Sequence, residues 1–379
     1  MKKVLLLSCS TGQGHNSCAQ AIKEYFEPHG VRCDLRDSFD FISKPFAQFV
    51  SWGHSFIYRY LPGLFRWGYN YSKTHPAVFH KSSGIYKLLT AGAERLYQHL
   101  SNGRFDTVIC THVFSAIMLT HMLKRHPLPV QTAFVATDYT CHPGMDTVDL
   151  QQYFIPNVQL ADDFAACGIP RYRITATGIP IRQEFLTQVD EAEARVRLHI
   201  GGGSRHLVMM CGSMGCGPMS RMLKQMAPIL PKDAEISVIC GTNKRLYAKL
   251  KHRYKANSKI HIIGYTNQMP LYMDSADLYL TKPGGISITE AAMKKLPMAF
   301  VNAVAGCEQY NMNFFIGMGA AITADSPRLL AVRSIRLLCS TADRQPMERV
   351  LWSYRKQDGA KNIFDALNKE VCVCEDQIS

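Results

Sequence analysis

Short apolar runs alternate with stretches of helical spacing along most of this chain. Residues 4–8 form the first run, closed by the turn Thr11-Gly12-Gln13-Gly14-His15. Residues 16–26 follow, with Ala19, Ile22 and Phe26 on one helical face. The pattern predicts further strands at 31–35, 107–110, 130–136, 152–155 and 173–176, with helices such as 114–123 and 159–167 between them. After an acidic, then charged helical stretch at 190–198 and the triplet Gly201-Gly202-Gly203, the alternation restarts. Strands are expected there at 207–211, 236–240, 260–263, 278–281 and 298–301. Strands that alternate with helices build parallel sheets. The expected class is therefore α/β, with two Rossmann-like domains facing across a cleft at their strand C-terminal ends. The expected boundaries are 1–180, 181–371 and a tail at 372–379, with the last helix free to return to the first domain.

Composition narrows the functional classes. Of 379 residues, 47% are apolar and 19% charged, an ordinary globular balance that argues against disorder. No stretch approaches the ~20 apolar residues that span a bilayer, so a soluble or peripheral protein is expected. The start, Met1-Lys2-Lys3-Val4-Leu5-Leu6-Leu7, imitates a signal peptide. Its apolar run is short and passes straight into the glycine turn, as a buried first strand does. Thirteen scattered cysteines without a C-x-x-C pair read as reduced thiols in a cytoplasm.

Lys and Arg outnumber Asp and Glu by 43 to 30, so an anionic partner is expected. The aromatics give this excess a local form. Residues 41–93 contain no Asp or Glu, yet hold Lys44, Arg59, Arg66, Lys73, Lys81, Lys87 and 13 of the 38 aromatics. Solvated helix faces mix both signs of charge. An interfacial helix or loop does not, because Trp and Tyr favour the headgroup layer and cations favour anionic lipid. Trp52, Arg59, Arg66, Trp67 and Lys73 are the candidate contacts with an anionic membrane, and core packing is the competing reading for part of the aromatics. No nucleic-acid-binding signature accompanies the charge, so no nucleic-acid partner is expected.

Three turns after expected strands can carry chemistry. Gly12-Gln13-Gly14-His15 lets a backbone approach a ligand closely and precedes a helix whose amides favour a polar or anionic group. Without a third glycine it is not a dinucleotide fingerprint. The second turn is Lys282-Pro283-Gly284-Gly285-Ile286-Ser287, expected to open a helix over 287–294. Its glycines and Ser287 would present N–H groups to a phosphate, and Glu290, one turn on, could accept two ribose hydroxyls. The alternative is a capping box, with Ser287 as cap and Glu290 three residues later. A further glycine loop, Gly212-Ser213-Met214-Gly215-Cys216-Gly217, follows the strand at 207–211, and two such loops in one domain suit a diphosphate. The third turn is Thr137-Asp138 with His142, or else an ordinary Asx turn. No D-x-D motif occurs, so neither metal nor cofactor is expected. Helix N-termini and basic residues would then neutralise the diphosphate.

In that order, these motifs resemble bacterial diacylglycerol glucosyltransferases and plant monogalactosyldiacylglycerol synthases, which share glycosyltransferase family 28 with the lipid-II-forming MurG. The resemblance runs over most of the chain. It also rests on Thr177-Gly178-Ile179-Pro180-Ile181-Arg182, on Leu296-Pro297 and on Gly306-x-Glu308-x-x-Asn311. It implies the two-domain GT-B fold and inverting, metal-independent transfer of a hexose from a UDP-sugar. The acceptor would be diacylglycerol, or another membrane lipid such as a polyprenyl-linked intermediate, at the cytoplasmic face of the cell membrane. Carried over by motif, Glu290 binds the ribose. Pro283, Gly284, Gly285, Ile286 and Ser287, with Gly215 and Gly217, hold the diphosphate. Gly264 and Tyr265 flank the uracil, and Glu308 contacts the sugar. Gly12, Gly14, His15 and Asp138 belong to the acceptor side, with His15 as general base or its orienter and Asp138 as the alternative base. Two positions depart from the family pattern: Cys307 stands where Gln is usual, and Gln13 where some relatives carry glycine.

Overall fold

The computed structural model describes residues 1–301, 306–354 and 358–375, without the side chains of 55, 58, 59, 62 and 370–375. The candidate Arg59 side chain therefore lies outside the described residues. The chain divides into two compact units, one built mainly from Met1–Gln183 and the other mainly from Glu184–Val304 and Glu308–Lys356.

In the first unit six parallel strands, β1 (Lys3–Ser8), β2 (Arg32–Asp37), β3 (Thr107–Cys110), β4 (Gln131–Val135), β5 (Gln152–Ile155) and β6 (Ile174–Ala176), run in the order β2-β1-β3-β4-β5-β6. Val4 to Leu7, Val108, Ile109 and Phe154 are fully buried, as expected of strands covered on both faces. Helix α1 (Gln13–Phe26) begins three residues before the expected position. Gly12 makes this start feasible: its φ of 155° and ψ of 152° belong to a region that glycine alone occupies readily, and they turn the chain sharply out of β1.

The acid-free segment forms helices α2 (Lys44–Tyr60) and α3 (Pro62–Thr74), with Ser43 capping α2 through the Phe46 N–H. Its aromatics divide. Phe46 packs edge-on to Phe39, and Phe79 and Tyr86 are buried. By contrast Phe49, Trp52, Phe56 and Tyr60 lie along one exposed stripe of α2, and Leu64, Trp67 and Tyr71 along one of α3. Trp52 and Trp67 are each 63% exposed, and Arg66 and Lys73 are exposed beside them. Helix α4 (Val113–Arg125) follows β3.

The second unit is a second parallel sheet of β7 (Arg205–Met210), β8 (Ala234–Ile239), β9 (Ile260–Ile263), β10 (Leu278–Thr281), β11 (Met298–Phe300) and β12 (Ala321–Thr323), in the order β12-β11-β10-β7-β8-β9. Its helices include α5 (Glu191–Arg197), α6 (Met219–Met226), α7 (Lys244–Arg253), α8 (Gly285–Met293) and α9 (Gly306–Gly317). Met219, Met222, Leu223 and Met226 of α6 join Leu207, Met209, Ile236, Val238 and Leu280 in its core. The final helix α10 (Gly359–Glu375) packs on α1. The Phe364 ring lies 5.2 Å from that of Phe26, and Asn362 Nδ2 donates to the Thr177 carbonyl at 2.9 Å. Among the described residues no helix is long and apolar enough to cross a membrane.

Each sheet reverses its strand order once next to its first strand, between β1 and β3 and between β7 and β10. Open parallel sheets bind ligands beyond the strand C-termini at such switch points.

Candidate active site

At the first switch point the turn after β1 meets the turn after β3. His15 sits here, as the third residue of α1 rather than in a loop. Its Nδ1 lies 2.9 Å from the Thr111 carbonyl oxygen and 2.9 Å from the Thr137 hydroxyl. A carbonyl can only accept, so the proton resides on Nδ1 and Nε2 keeps its lone pair. Burial lowers the His15 pKa to about 4, and His142 adds to this, while the Asp138 carboxylate opposes it. The ring is therefore neutral at physiological pH, yet a carboxylate stands by to stabilise a positive charge once it forms. Asp138 is buried and accepts a hydrogen bond from His142 Nε2 at 3.1 Å. The Thr111 hydroxyl donates to the His15 carbonyl at 3.2 Å, fixing the start of α1 against β3.

One member of this cluster was not anticipated. His112 stacks edge-on to His15, with ring centres 4.4 Å apart. Its Nδ1 accepts the Phe114 N–H at 3.0 Å, which caps α4, so its Nε2–H donates to the Thr11 hydroxyl at 3.0 Å. Burial, then His15, His142 and His54, hold it well below the usual histidine pKa. His54 belongs to α2, so the exposed aromatic helix neighbours the cluster. A polar Thr111-His112 pair directly after a predicted strand was the available signal.

The second switch point is built mostly from backbone. Gly215 takes a φ of 57°, and a Cβ there would lie 2.1 Å from the Cys240 carbonyl oxygen, so the loop after β7 locks against the loop after β8. Asn243 Nδ2 donates to the Gly215 carbonyl at 3.1 Å across the same contact. The Gly215 N–H is occupied by the Gly212 carbonyl at 2.9 Å, and the Gly284 N–H by the Lys282 carbonyl at 2.9 Å. Those two amides, expected to face a phosphate, are spent inside their own loops.

The helix also starts earlier than expected. Gly284 is the N-cap of α8, with no side-chain cap, and Ser287 Oγ instead pairs with the Tyr279 hydroxyl at 2.8 Å. The capping-box alternative is thereby overturned. The first intrahelical bond is that of the Ile288 N–H to the Gly284 carbonyl, which leaves the Gly285, Ile286 and Ser287 N–H groups pointing out of the helix start. Glu290 is buried within α8. Asn311, fully buried on α9, donates to the Pro283 carbonyl at 3.0 Å and fixes the turn.

Lys282 occupies the centre of this arrangement. Its stem would touch a Cβ placed on Gly212, and its Nζ lies 2.9 Å from Glu308 Oε1 in the first turn of α9. Sequence reading noted the residue but not that it joins three strand ends. Gly217 closes the β7 loop with a φ of 153°. Gly264 and Tyr265 follow β9, two strands away. Gly264 abuts the Tyr247 ring, and Tyr265 is exposed. Among the described residues no group of three or more His, Cys, Asp or Glu side chains is placed to hold a metal ion.

Two family profiles match the chain: monogalactosyldiacylglycerol (MGDG) synthase over residues 15–181 and the glycosyltransferase family 28 C-terminal domain over 206–323. The first stretch is thus similar to MGDG synthases and the second to C-terminal domains of glycosyltransferase family 28. A processive diacylglycerol beta-glucosyltransferase of Staphylococcus epidermidis is 27% identical over 331 residues, covering 86% of this chain and 82% of that protein. One from Staphylococcus saprophyticus is 26% identical, covering 97% and 93%. Among solved structures, MurG of Acinetobacter baumannii aligns with a TM-score of 0.65 at 12% identity over 97% of this chain and 100% of its own. HepE of Anabaena in complex with UDP-glucose aligns at 0.58 and 12%, over 98% and 100%. These likenesses show that the chain has the MurG-like GT-B fold.

Proposed function

We propose that the protein transfers a hexose from a UDP-sugar to diacylglycerol, with inversion at the anomeric carbon. It works as a peripheral enzyme on the cytoplasmic face of an anionic membrane. The observation that carries the mechanism is His15, neutral and held as the Nδ1–H tautomer with Nε2 open as a base. The diacylglycerol hydroxyl attacks the anomeric carbon from the face opposite UDP, and its proton passes to His15 Nε2. The new C–O bond forms as the bond to the β-phosphate oxygen breaks, and that electron pair leaves with UDP. Asp138 stabilises the imidazolium, and Thr111 and Thr137 keep the ring oriented.

The three N–H groups at the start of α8 and the Lys282 ammonium meet the charge on the departing diphosphate. Glu290 accepts the ribose hydroxyls. Glu308, oriented by Lys282, contacts the sugar, and Gly264 with Tyr265 flanks the uracil. The exposed stripe of α2 and α3 seats the first unit on the bilayer, where diacylglycerol resides, with Arg66 and Lys73 near its headgroups.

The test is incubation with labelled UDP-glucose, UDP-galactose or UDP-N-acetylglucosamine and lipid mixtures that contain diacylglycerol. A labelled glycolipid whose anomeric linkage is β from an α-linked donor is expected. No labelled lipid from any donor, or retention of the donor's configuration, overturns the reading.

A further inference from the structure

The second unit carries an acid-free run of its own. Residues 236–273 contain no Asp or Glu, but they include Lys244, Arg245, Lys249, Lys251, Arg253, Lys255 and Lys259. Five of these lie on α7 and Lys255 lies just past it, and all six are exposed. Among the described residues none of the six lies within ion-pair distance of a carboxylate. Some surface cations elsewhere are paired, as Lys23 is with Glu27, Arg197 with Glu193, Arg205 with Asp233 and Lys361 with Asp365.

Lys251 and Arg253 in the last turn suit the helix dipole, but the rest of the arrangement gives the helix nothing by itself. Arg245, Lys249 and Arg253 stand at i, i+4 and i+8, where like charges repel. Lys244 and Arg245 fill the first turn, at the positive end of the helix dipole. Helix α5 shows the favourable order: Asp190 caps it, Glu191 and Glu193 fill the first turn, and Arg195 and Arg197 the last. Solubility asks for mixed signs rather than one. The cations are also seated on apolar surface, with the Lys251 ammonium bonded to the Tyr247 hydroxyl at 2.9 Å and the Arg253 guanidinium 5.7 Å from the Tyr254 ring centre.

We propose that the exposed cations of α7, with Lys255 just past it, form a contact for an anionic phospholipid surface, made by the second unit apart from the aromatic stripe of the first. The inference rests on the lipid-acceptor reading above. A bilayer is favoured over nucleic acid because the face is a single convex helix. Its tyrosines, half-buried beneath the cations, are not presented for base stacking. Long stems over aromatic rings with the charge outermost suit a headgroup layer. The two contacts differ in kind. The stripe on α2 and α3 inserts apolar side chains, whereas α7 offers charge alone, so its share of binding is screened by salt.

The experiment is sedimentation of the full chain with vesicles of phosphatidylglycerol and phosphatidylcholine, without diacylglycerol, at low and high salt. It compares wild type with the triple variant Lys249→Glu, Arg253→Glu, Lys255→Glu and with the same three changed to Gln. The Gln variant should partition roughly a hundredfold more weakly at low salt, and the Glu variant more weakly still. Both should lose part of the salt dependence, with Lys244, Arg245, Lys251, Arg66 and Lys73 keeping the rest, while UDP affinity and melting temperature stay at the wild-type values. The salt-resistant remainder should disappear with Trp52→Ser and Trp67→Ser. Equal partitioning of wild type and both triple variants overturns the proposal. Tighter binding to poly(A) RNA than to the vesicles, abolished by the same changes, overturns it in favour of nucleic acid. Transfer measured in neutral detergent micelles checks the lipid-acceptor reading separately, because no charged surface is present there.

Discussion

The two switch points are equivalent in topology and opposite in chemistry. Beyond β1 and β3 the groups are side chains: His15, His112, His142, Asp138 and two threonines, clustered where burial sets their charge. Beyond β7 and β10 the groups are chiefly amides at a helix start, with glycine turns that let two loops interlock and a single Lys282–Glu308 pair. The difference suits the two tasks proposed for them. Moving a proton requires a group whose pKa the fold can tune, and only side chains have one. Receiving a diphosphate requires several donors fixed in advance, which a backbone offers with little further loss of entropy.

Substitutions at the two points should therefore separate rate from affinity. His15→Ala should lower kcat by roughly 10²–10⁴-fold, the usual cost of losing a general base, with UDP affinity unchanged. Calorimetric UDP binding beside turnover would reveal a broken comparison: loss of UDP binding would move His15 to the donor side, and near-normal turnover would pass the base role to Asp138. Glu290→Ala should weaken UDP binding at least tenfold, since hydrogen bonds to a charged group contribute about 1.5–3 kcal/mol. Because Ser287 is not its capping partner, the melting temperature should change little. A large drop in melting temperature with intact UDP affinity would make the carboxylate structural.

Eleven of the twelve strands were readable from apolar runs, but β12 (Ala321–Thr323), only three residues long, was not anticipated. Helix starts were less readable. α1 and α8 each begin earlier than the periodicity suggested, because the chain turns at Gly12 and Gly284, and a glycine cap leaves no side-chain signature. Glycine loops were legible as positions but not as partners. Only the folded chain shows that the Gly215 and Gly284 amides are occupied and that Gly285, Ile286 and Ser287 are the ones aimed outward. His112 was hidden for a different reason: it lies 97 residues from His15 in sequence (112 − 15), and the two meet because β1 and β3 lie side by side.

The contrast has a pH signature. In the proposed mechanism the base is the neutral form of His15, whose pKa burial moves from 6.5 down to about 4. The acid limb of kcat/KM that belongs to His15 should lie near that value, so this group should leave the rate flat between pH 8 and 6. The same shift acts on stability. The unfolded chain binds a proton on His15 below about 6.5 that the folded chain refuses until about 4. Its contribution is thus whole above 6.5 and declines as pH falls from there towards 4. His206, buried between the Ser275 and Ser237 hydroxyls and lowered to about 3, acts in the same sense in the second unit. In a series of melting curves, His15→Gln should flatten the slope over that range. An unchanged slope would mean that the ring takes up its proton in the folded state at an ordinary pH.

The smallest expected effect is none at all, on removing divalent ions. A diphosphate leaving group needs positive charge beside it, and enzymes that use a cation hold it with paired carboxylates. At the second switch point the carboxylate of Glu308 is already engaged by Lys282 at 2.9 Å, and Glu290 is buried inside α8. The charge offered there is that of Lys282 and the first turn of α8, both covalently part of the chain and indifferent to chelators. Turnover after thorough treatment with EDTA should match the untreated enzyme, and added magnesium or manganese should not raise it. Loss of turnover that either ion restores would break the comparison at its root. The donor end would then depend on side chains binding an ion, as the acceptor end depends on side chains binding a proton.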